Sequence, residues 1–184
     1  MRRLLALLLL LLPLPVVAQE VTVTEAPGEL VHQIVIPAPP AEVWQAVGTM
    51  EGWRTWATPL VRAVADSDRF ETSYNPDAAP AGPDTIEQEW IARDAPRTVS
   101  FRTTRTPEGF PHADAYLNVV STFELTPGGD DATHLKLVTS GYPDDAAGAA
   151  LMGFFREGNR LSLQQLHQRF VDGPVDWPTR LSRP

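Results

Sequence analysis

The stretch Leu30–Trp56, LVHQIVIPAPPAEVWQAVGTMEGWRTW, decides how the rest of this chain can fold. Its first part, Leu30–Ile36, carries apolar residues at both odd and even positions, which predicts a strand covered on both faces. His32 and Gln33 stand at the entry of this strand. The prolines that follow end the strand, and proline is well tolerated in the first turn of a helix. The sequence therefore predicts a strand, a sharp corner and a helix.

Two short helices follow the corner, and they hold three of the chain's five tryptophans. Apolar residues around Trp44 recur at helical spacing until a glycine ends the pattern. Thr49 can then cap a second short helix, which carries Trp53 and Trp56 on one face. We interpret Trp44 as a core residue and place Trp53 and Trp56 at the end wall of a cavity.

After Pro59 the apolar residues alternate with a period of two, which predicts strands joined by turns. The predicted strands cover residues 60–65, 69–74, 85–92, 97–104, 117–125 and 135–139, and residues 21–24 are compatible with one more. From Ala146 to Val171, apolar residues at spacings of three and four predict a long helix. The whole pattern predicts an α+β fold in which a curved antiparallel sheet of about seven strands wraps around a long C-terminal helix, with two short helices after the first strand.

The first residues, MRRLLALLLLLLPLPVVA, have the basic start, apolar centre and small-residue end of a secretory signal peptide. The apolar run is too short to span a bilayer, so we predict cleavage after Ala18 and no integral membrane span afterwards. The chain has no cysteine, which excludes a lipid anchor at the cleavage site as well as disulfide and thiol chemistry. We therefore expect the mature protein to be periplasmic or secreted.

The predicted organisation has four parts: a signal peptide at 1–18, a lead-in at 19–28, one folded domain at 29–172 and a C-terminal tail at 173–184. The formal net charge is -8, and the acidic residues are scattered along the chain. This charge argues against nucleic acid or an anionic membrane surface as a partner.

The segment IVIPAPPAEVWQAV, followed closely by EGWRTW, resembles the start of SRPBCC, or START-like, proteins. This superfamily includes polyketide cyclases and heat-shock-ATPase activator homologues, and the resemblance extends over about Glu29–Phe170. It implies the helix-grip fold and a cavity that binds a small hydrophobic or amphipathic molecule, in a superfamily with few enzymes. The predicted signal peptide argues against the cytosolic chaperone-activating role of some members.

The sequence shows no catalytic motif, because it lacks cysteine, a G-x-S-x-G elbow and a phosphate-binding glycine loop. Of the histidines, His134 and His167 are predicted on the surface. The run His112–Asp114 offers two potential ligands, which is too few for a zinc site. Glu87 and Glu89 alternate onto the outer face of the predicted sheet. We predict no catalytic residue, no metal and no cofactor.

The interior of the predicted fold combines aromatic rings with a few polar groups, as ligand pockets do. The predicted ligand-binding residues are Trp53, Trp56, Phe70, Tyr74, Gln88, Trp90, Phe101, Ser121, Phe123, Phe155 and Asn159. The same residues are compatible with a filled core. Gln88 and Asn159 are the stronger indicators of a pocket, because a buried amide is costly unless something satisfies it.

Our first functional hypothesis is an exported, non-catalytic binder of a small hydrophobic or amphipathic molecule. A cyclase- or aromatase-like enzyme is the second, with Tyr74, Gln88 and Asn159 as its candidate proton-transfer groups. The third is an envelope module that recognises a protein through the concave rim of the predicted sheet or through the loop around Phe110, which the sequence predicts to be exposed.

Overall fold

The computed structural model describes residues 20–129 and 131–182, so the predicted signal peptide and its cleavage site lie outside the described residues. The described strands are β1 Thr22–Ala26, β2 Glu29–Ile36, β3 Leu60–Ala63, β4 Arg69–Ser73, β5 Ile86–Asp94, β6 Thr98–Arg105, β7 Val120–Pro127 and β8 Thr133–Ser140. The described helices are α1 Pro40–Gly48, α2 Met50–Arg54, α3 Ala113–Tyr116, α4 Ala146–Asp172 and α5 Trp177–Leu181.

The strands form one sheet with the order β1-β2-β8-β7-β6-β5-β4-β3, and every neighbouring pair is antiparallel. This confirms the predicted α+β helix-grip fold, with α1 and α2 after the strand that begins at Glu29. The sheet has eight strands, one more than the main pattern predicted. The additional strand is β1, which lies in the segment predicted as a lead-in and pairs with β2 along its length.

Helices α1 and α2 are fixed to each other by hydrogen bonds that the sequence makes possible. The Oγ1 atom of Thr49 caps α2 by accepting from the backbone N–H of Gly52 at 2.9 Å. The indole N–H groups of Trp53 and Trp56 both donate to backbone carbonyls of α1, at 2.7 and 2.9 Å. The two rings are buried, so these bonds also satisfy donors that cannot reach water.

The long helix α4 packs its apolar stripe on the inner face of the sheet. Asp145 caps its start by accepting from the backbone N–H of Gly148 at 2.8 Å. Three residues of this stripe, Leu151, Leu163 and Leu166, are buried against the inner side chains of the sheet. The hydrophobic effect therefore joins helix and sheet, as the spacing of the apolar residues predicts.

Strand β2 differs from its prediction, because only one of its faces is fully buried. Leu30, His32, Ile34 and Ile36 alternate onto the buried face, whereas Gln33 is exposed and the valines beside it are half-buried. The prediction of a strand covered on both faces is wrong, since α4 packs on one side of β2 only. His32 consequently lies inside the protein, where it is completely buried.

A short helix replaces the predicted start of the strand at 117–125. Helix α3 ends at Tyr116, β7 begins at Val120, and Leu117 between them is exposed. His112 turns the chain into α3 with a left-handed backbone, at a φ of 57°. The prediction is wrong here because four helical residues are too few to show a helical period, and the alternation of Leu117 with the residues after it imitates a strand.

Candidate ligand cavity

A cavity of about 930 Å³ lies between α4, the end of α2 and the inner face of the sheet. This volume is near the upper end of the range for pockets that hold drug-sized molecules, about 300–1,000 Å³. Most of the predicted ligand-binding residues line it: Trp53, Trp56, Tyr74, Gln88, Phe101, Ser121, Phe123, Phe155 and Asn159. The structure therefore brings residues from α2, four strands or their ends, and α4 around one space.

Phe70 and Trp90 do not line this cavity, although both are among the predicted ligand-binding residues. Their rings stack on each other with centroids 4.4 Å apart, and Phe70 is completely buried. Trp53 stands edge-on to Phe70 at 5.3 Å and to Phe101 at 5.2 Å, and of this group Trp53 and Phe101 reach the cavity. This pair is therefore part of the core. Alternation along a strand correctly predicts the face of the sheet on which a side chain lies, but it does not predict whether that side chain reaches the cavity.

Tyr74 lies at the mouth of the cavity and not in its interior. Its side chain is 64% exposed, just beyond the end of β4, and its ring meets Trp177 edge-on at 6.2 Å. The prediction of an inward-facing Tyr74 is wrong because the chain leaves the sheet one residue earlier. The charged side chains among the lining residues, Asp84 and Arg180, are also exposed.

Two of the residues that line the cavity, Gln88 and Asn159, have largely buried amide side chains, and the atoms of these amides that lack partners have almost no accessible surface. Gln88 is 5% exposed and Asn159 is 8% exposed. Within the described residues, neither Oε1 of Gln88 nor Nδ2 of Asn159 has a hydrogen-bond partner. Each such group costs about 1–3 kcal/mol when it is left unsatisfied.

Two tyrosines add neutral hydroxyl groups to this region. The hydroxyl of Tyr142 donates to Oγ1 of Thr139 at 2.9 Å, and burial raises the pKa of Tyr142 to about 12. Burial also raises the pKa of Tyr116, which lines the cavity. Both phenols therefore stay protonated at neutral pH, and the buried part of the described lining is uncharged.

An aromatic cluster at one side of the cavity was not predicted. Phe110 stacks on Tyr116 with ring centroids 5.3 Å apart and meets Phe154 edge-on at 5.7 Å, and Tyr116 lies against Phe155 at 4.7 Å. The prediction that Phe110 is exposed is wrong, because α3 brings Tyr116 under its ring and leaves Phe110 half-buried. The sequence signal for this cluster is the pair Phe154 and Phe155 in α4. Phe154 falls outside the apolar stripe, so its ring needs a partner other than the sheet, and it contacts Phe110.

The loop at residues 75–84, which borders the cavity mouth, is held by a buried ion-pair network. Glu71 accepts from Nε of Arg62 at 2.7 Å, from Nη2 of Arg105 at 2.6 Å and from the backbone N–H of Ala81 at 2.8 Å. The carboxylate of Glu71 is almost fully buried, so it depends on these partners. The loop has no regular secondary structure but is tied to three strands.

His32, which the sequence predicts at the entry of a strand, is completely buried. Its Nε2 atom donates to the backbone carbonyl of Arg156 at 3.0 Å, and its Nδ1 atom has no partner within the described residues. Burial lowers the pKa of His32, which is therefore neutral at pH 7. His32 does not line the cavity, and it joins β2 to the middle of α4.

The described residues contain no group of three or more histidine, aspartate or glutamate side chains that could hold a metal ion. His112, one of the two potential ligands noted in the sequence, lies in the left-handed turn before α3. Among the helices described, none is both long and apolar enough to cross a bilayer.

An eight-stranded antiparallel sheet packed on a long helix, with a mainly aromatic cavity between them, defines a helix-grip protein of the START-like class. Within that class the chain belongs to the family described as polyketide cyclase / dehydrase and lipid transport, whose family model matches residues 20–171. None of the curated proteins matches the sequence at a significant level.

Solved structures with this fold share little sequence with the chain. The Aha1 dimer from Colwellia psychrerythraea is similar with a TM-score of 0.61 and 16% identity over 79% of this chain and 97% of that chain. Protein MLL2253 from Mesorhizobium loti is similar with a TM-score of 0.60 and 22% identity, over 80% of this chain and 99% of that chain. The di-domain ARO/CYC protein BexL, from the BE-7585A biosynthetic pathway, is similar with a TM-score of 0.58 and 19% identity, over 78% of this chain and 46% of that chain. At these identities the likeness concerns the fold alone.

Proposed function

We propose that this protein binds a small apolar or amphipathic molecule in its internal cavity and does not transform it chemically. The observation that carries the proposal is the cavity of about 930 Å³, with its aromatic walls and buried amides. Membership of a family described by cyclisation, dehydration and lipid transport is consistent with a cavity for such molecules.

The proposal of binding without catalysis rests on the groups that face the cavity. Amide side chains do not exchange protons near neutral pH, so Gln88 and Asn159 are suited to hydrogen bonding and not to acid–base catalysis. Tyr74, the third proton-transfer candidate, stands at the open mouth, where water competes for any proton that it would transfer. This geometry gives less support to a cyclase- or aromatase-like reaction.

Two glycines of α4 allow a matched test of the cavity. A Cβ atom added at Gly153 or at Gly158 would meet no heavy atom within 4 Å, and of the two positions Gly158 lines the cavity. We expect Gly158→Phe to place a ring in the ligand space and Gly153→Phe to leave that space open. Both variants should fold, because both positions have room for a side chain.

The measurement is the amount of small molecule that organic solvent extracts from protein purified without detergent, quantified by mass spectrometry. Wild type and Gly153→Phe should retain the same compound, and Gly158→Phe should retain several-fold less. Equal retention by the two variants, or a wild-type protein that carries nothing and binds no added apolar probe, would contradict the proposal.

Export is part of the proposal and is supported by the pattern of residues 1–18. Protein recovered from the periplasm or the medium should have the mass of a chain that begins at Gln19. A full-length mass, with the protein confined to the cytosol, would contradict export without affecting ligand binding.

A further inference from the structure

We infer that the C-terminal segment 173–182 completes the ligand site, and that Arg180 on this segment binds the anionic head group of an amphipathic ligand whose apolar body lies in the cavity. The inference rests on the proposed function and specifies the chemical class and the orientation of the ligand. The family model matches residues 20–171, so the segment lies outside the part of the chain that matches the family.

The segment 173–182 is fixed to the end of α2. The backbone N–H of Val175 donates to the carbonyl of Thr55 at 2.9 Å. The indole N–H of Trp177 donates to the carbonyl of Arg54, and the ring of Trp177 is buried. Because the end of α2 borders the cavity, these contacts hold α5 beside the cavity mouth.

Arg180 lies one turn after Trp177 on α5 and lines the cavity mouth. Its guanidinium carbon is 5.5 Å from the centroid of the Trp177 ring, so a buried anchor positions an exposed cation. Among the residues that the structure describes, Arg180 has no ion-pair partner. A guanidinium presents a planar fork of N–H donors that fits a carboxylate or a phosphate.

Asp84, the other charged residue of the described lining, is bound by its own loop. Its Oδ2 atom accepts from Nδ2 of Asn75 at 2.7 Å. Its Oδ1 atom lies against Gly82, where an added Cβ atom would be 3.3 Å away. The carboxylate of Asp84 is therefore engaged within the loop, and Arg180 is the charged group that a ligand at the mouth can pair with.

The lining changes from aromatic to polar along α4. Phe154 and Phe155 line the cavity near the aromatic cluster, and Gln165 and Gln168 line it further along the helix. Ten residues separate Phe155 from Gln165, which corresponds to about 15 Å of helix. The side chain of Gln165 donates to the carbonyl of Trp56, so the polar end lies beside the end of α2 that holds α5. An elongated ligand along α4 thus has its apolar end at the aromatic cluster and its polar end near Arg180.

A charged head group suits the mouth of the cavity and not its interior. In the uncharged interior a carboxylate would lose its hydration without gaining a cation. At the mouth Arg180, Tyr74 and Asn75 are exposed, so the head group keeps its contact with water. An exposed ion pair changes an affinity by up to about fivefold, and we expect an effect of that size from Arg180.

The test compares decanoate, 1-decanol and decylammonium, which share one apolar body, by isothermal titration calorimetry at neutral pH and low salt. We expect Arg180→Gln to weaken the binding of decanoate by about threefold to fivefold and to leave that of 1-decanol unchanged. Arg180→Glu should weaken decanoate further and strengthen decylammonium. The matched control is Arg97→Gln, which changes the net charge equally at an exposed residue outside the lining and should leave all three affinities unchanged.

The orientation is measured with stearate that carries a nitroxide spin label at carbon 5 or at carbon 16. The label near the carboxylate should broaden the backbone NMR signals of α5 more than those of α3, and the label near the methyl end should do the reverse. The opposite pattern would overturn the inferred orientation.

The outcomes separate this inference from the proposed function. Unchanged decanoate affinity in Arg180→Gln, an equal loss in Arg97→Gln, or the same loss for 1-decanol would overturn the inference while ligand binding remains supported. Failure of all three decyl probes to bind wild type would contradict the inference and the proposed function together. Arg180 is exposed, so we expect its variants to fold.

Discussion

Replacing His32 by glutamine should remove a defined part of the pH dependence of stability. His32 is completely buried, and its Nε2–H donates to the backbone carbonyl of Arg156. Protonation of the neutral ring would therefore add a hydrogen at Nδ1. No acceptor for that hydrogen exists within the described residues. Burial is the largest cause of the lowered pKa of His32; the hydrogen bond to the Arg156 carbonyl and the charge of Glu25 on β1 oppose it, and the nearby Arg156 charge adds to it.

The sign and size of the effect follow from proton linkage. An unfolded histidine has a pKa of about 6.5, so below that pH the unfolded chain binds a proton that the folded protein does not. The stabilising contribution of neutral His32 is complete above pH 6.5 and is lost as the pH falls towards the lowered pKa in the folded state. One proton corresponds to about 1.4 kcal/mol for each pH unit within that window.

The assay is urea unfolding at pH 7.5 and pH 5.5, with the free energy of unfolding compared between proteins. Between pH 7.5 and pH 5.5 the free energy of unfolding of wild type should fall by up to about 1.4 kcal/mol more than that of His32→Gln. This upper bound applies if the pKa of His32 in the folded protein lies below the interval. His134→Gln is the matched control, since His134 is exposed on the strand beside β2 and opposite Val35. Identical pH dependence in wild type and His32→Gln, or a loss of the dependence in His134→Gln, would refute the reasoning.

Two further predictions concern the core and the loop anchor. Leu163→Ala should lower the free energy of unfolding by about 2–5 kcal/mol because Leu163 is completely buried, whereas Leu161→Ala, on the exposed side of α4, should change it little in the same urea experiment. Glu71→Gln should cost about 3–5 kcal/mol because it breaks the buried network with two arginines, and Glu89→Gln, whose partner Arg102 is half exposed, should cost less than about 1 kcal/mol. Losses of equal size within either pair, measured by urea unfolding, would contradict the burial on which these predictions rest.

The order of strands and helices could be predicted from the sequence because each long element keeps one period over many residues. The stripe of α4 is one example, and the Thr49 cap with the two tryptophans after it is another. Helix α3 could not be predicted, since a single turn has no period and its position depends on the packing of Phe110 against Tyr116. Such contacts exist only after the chain has folded.

The types of residue that line the cavity could be predicted from the sequence, but which of the inner-face residues reach the cavity could not. Alternation placed Gln88 and Phe101 on the inner face, and both line the cavity. The same rule included Phe70 and Trp90, which Trp53 separates from the ligand space. His32 was missed because a polar residue near a strand end is normally exposed, and only the position of α4 reveals that it is covered.

The anchoring of loop 75–84 by Glu71 has a consequence for the entropy cost of binding the proposed ligand. Asn75 and Asp84, at the two ends of the loop, line the cavity mouth and are joined by a hydrogen bond of 2.7 Å. Because this border is already ordered, an arriving molecule does not have to immobilise it, which avoids about 0.5–1.5 kcal/mol of entropy for each side chain. This pre-ordered border would therefore favour the affinity for the proposed ligand.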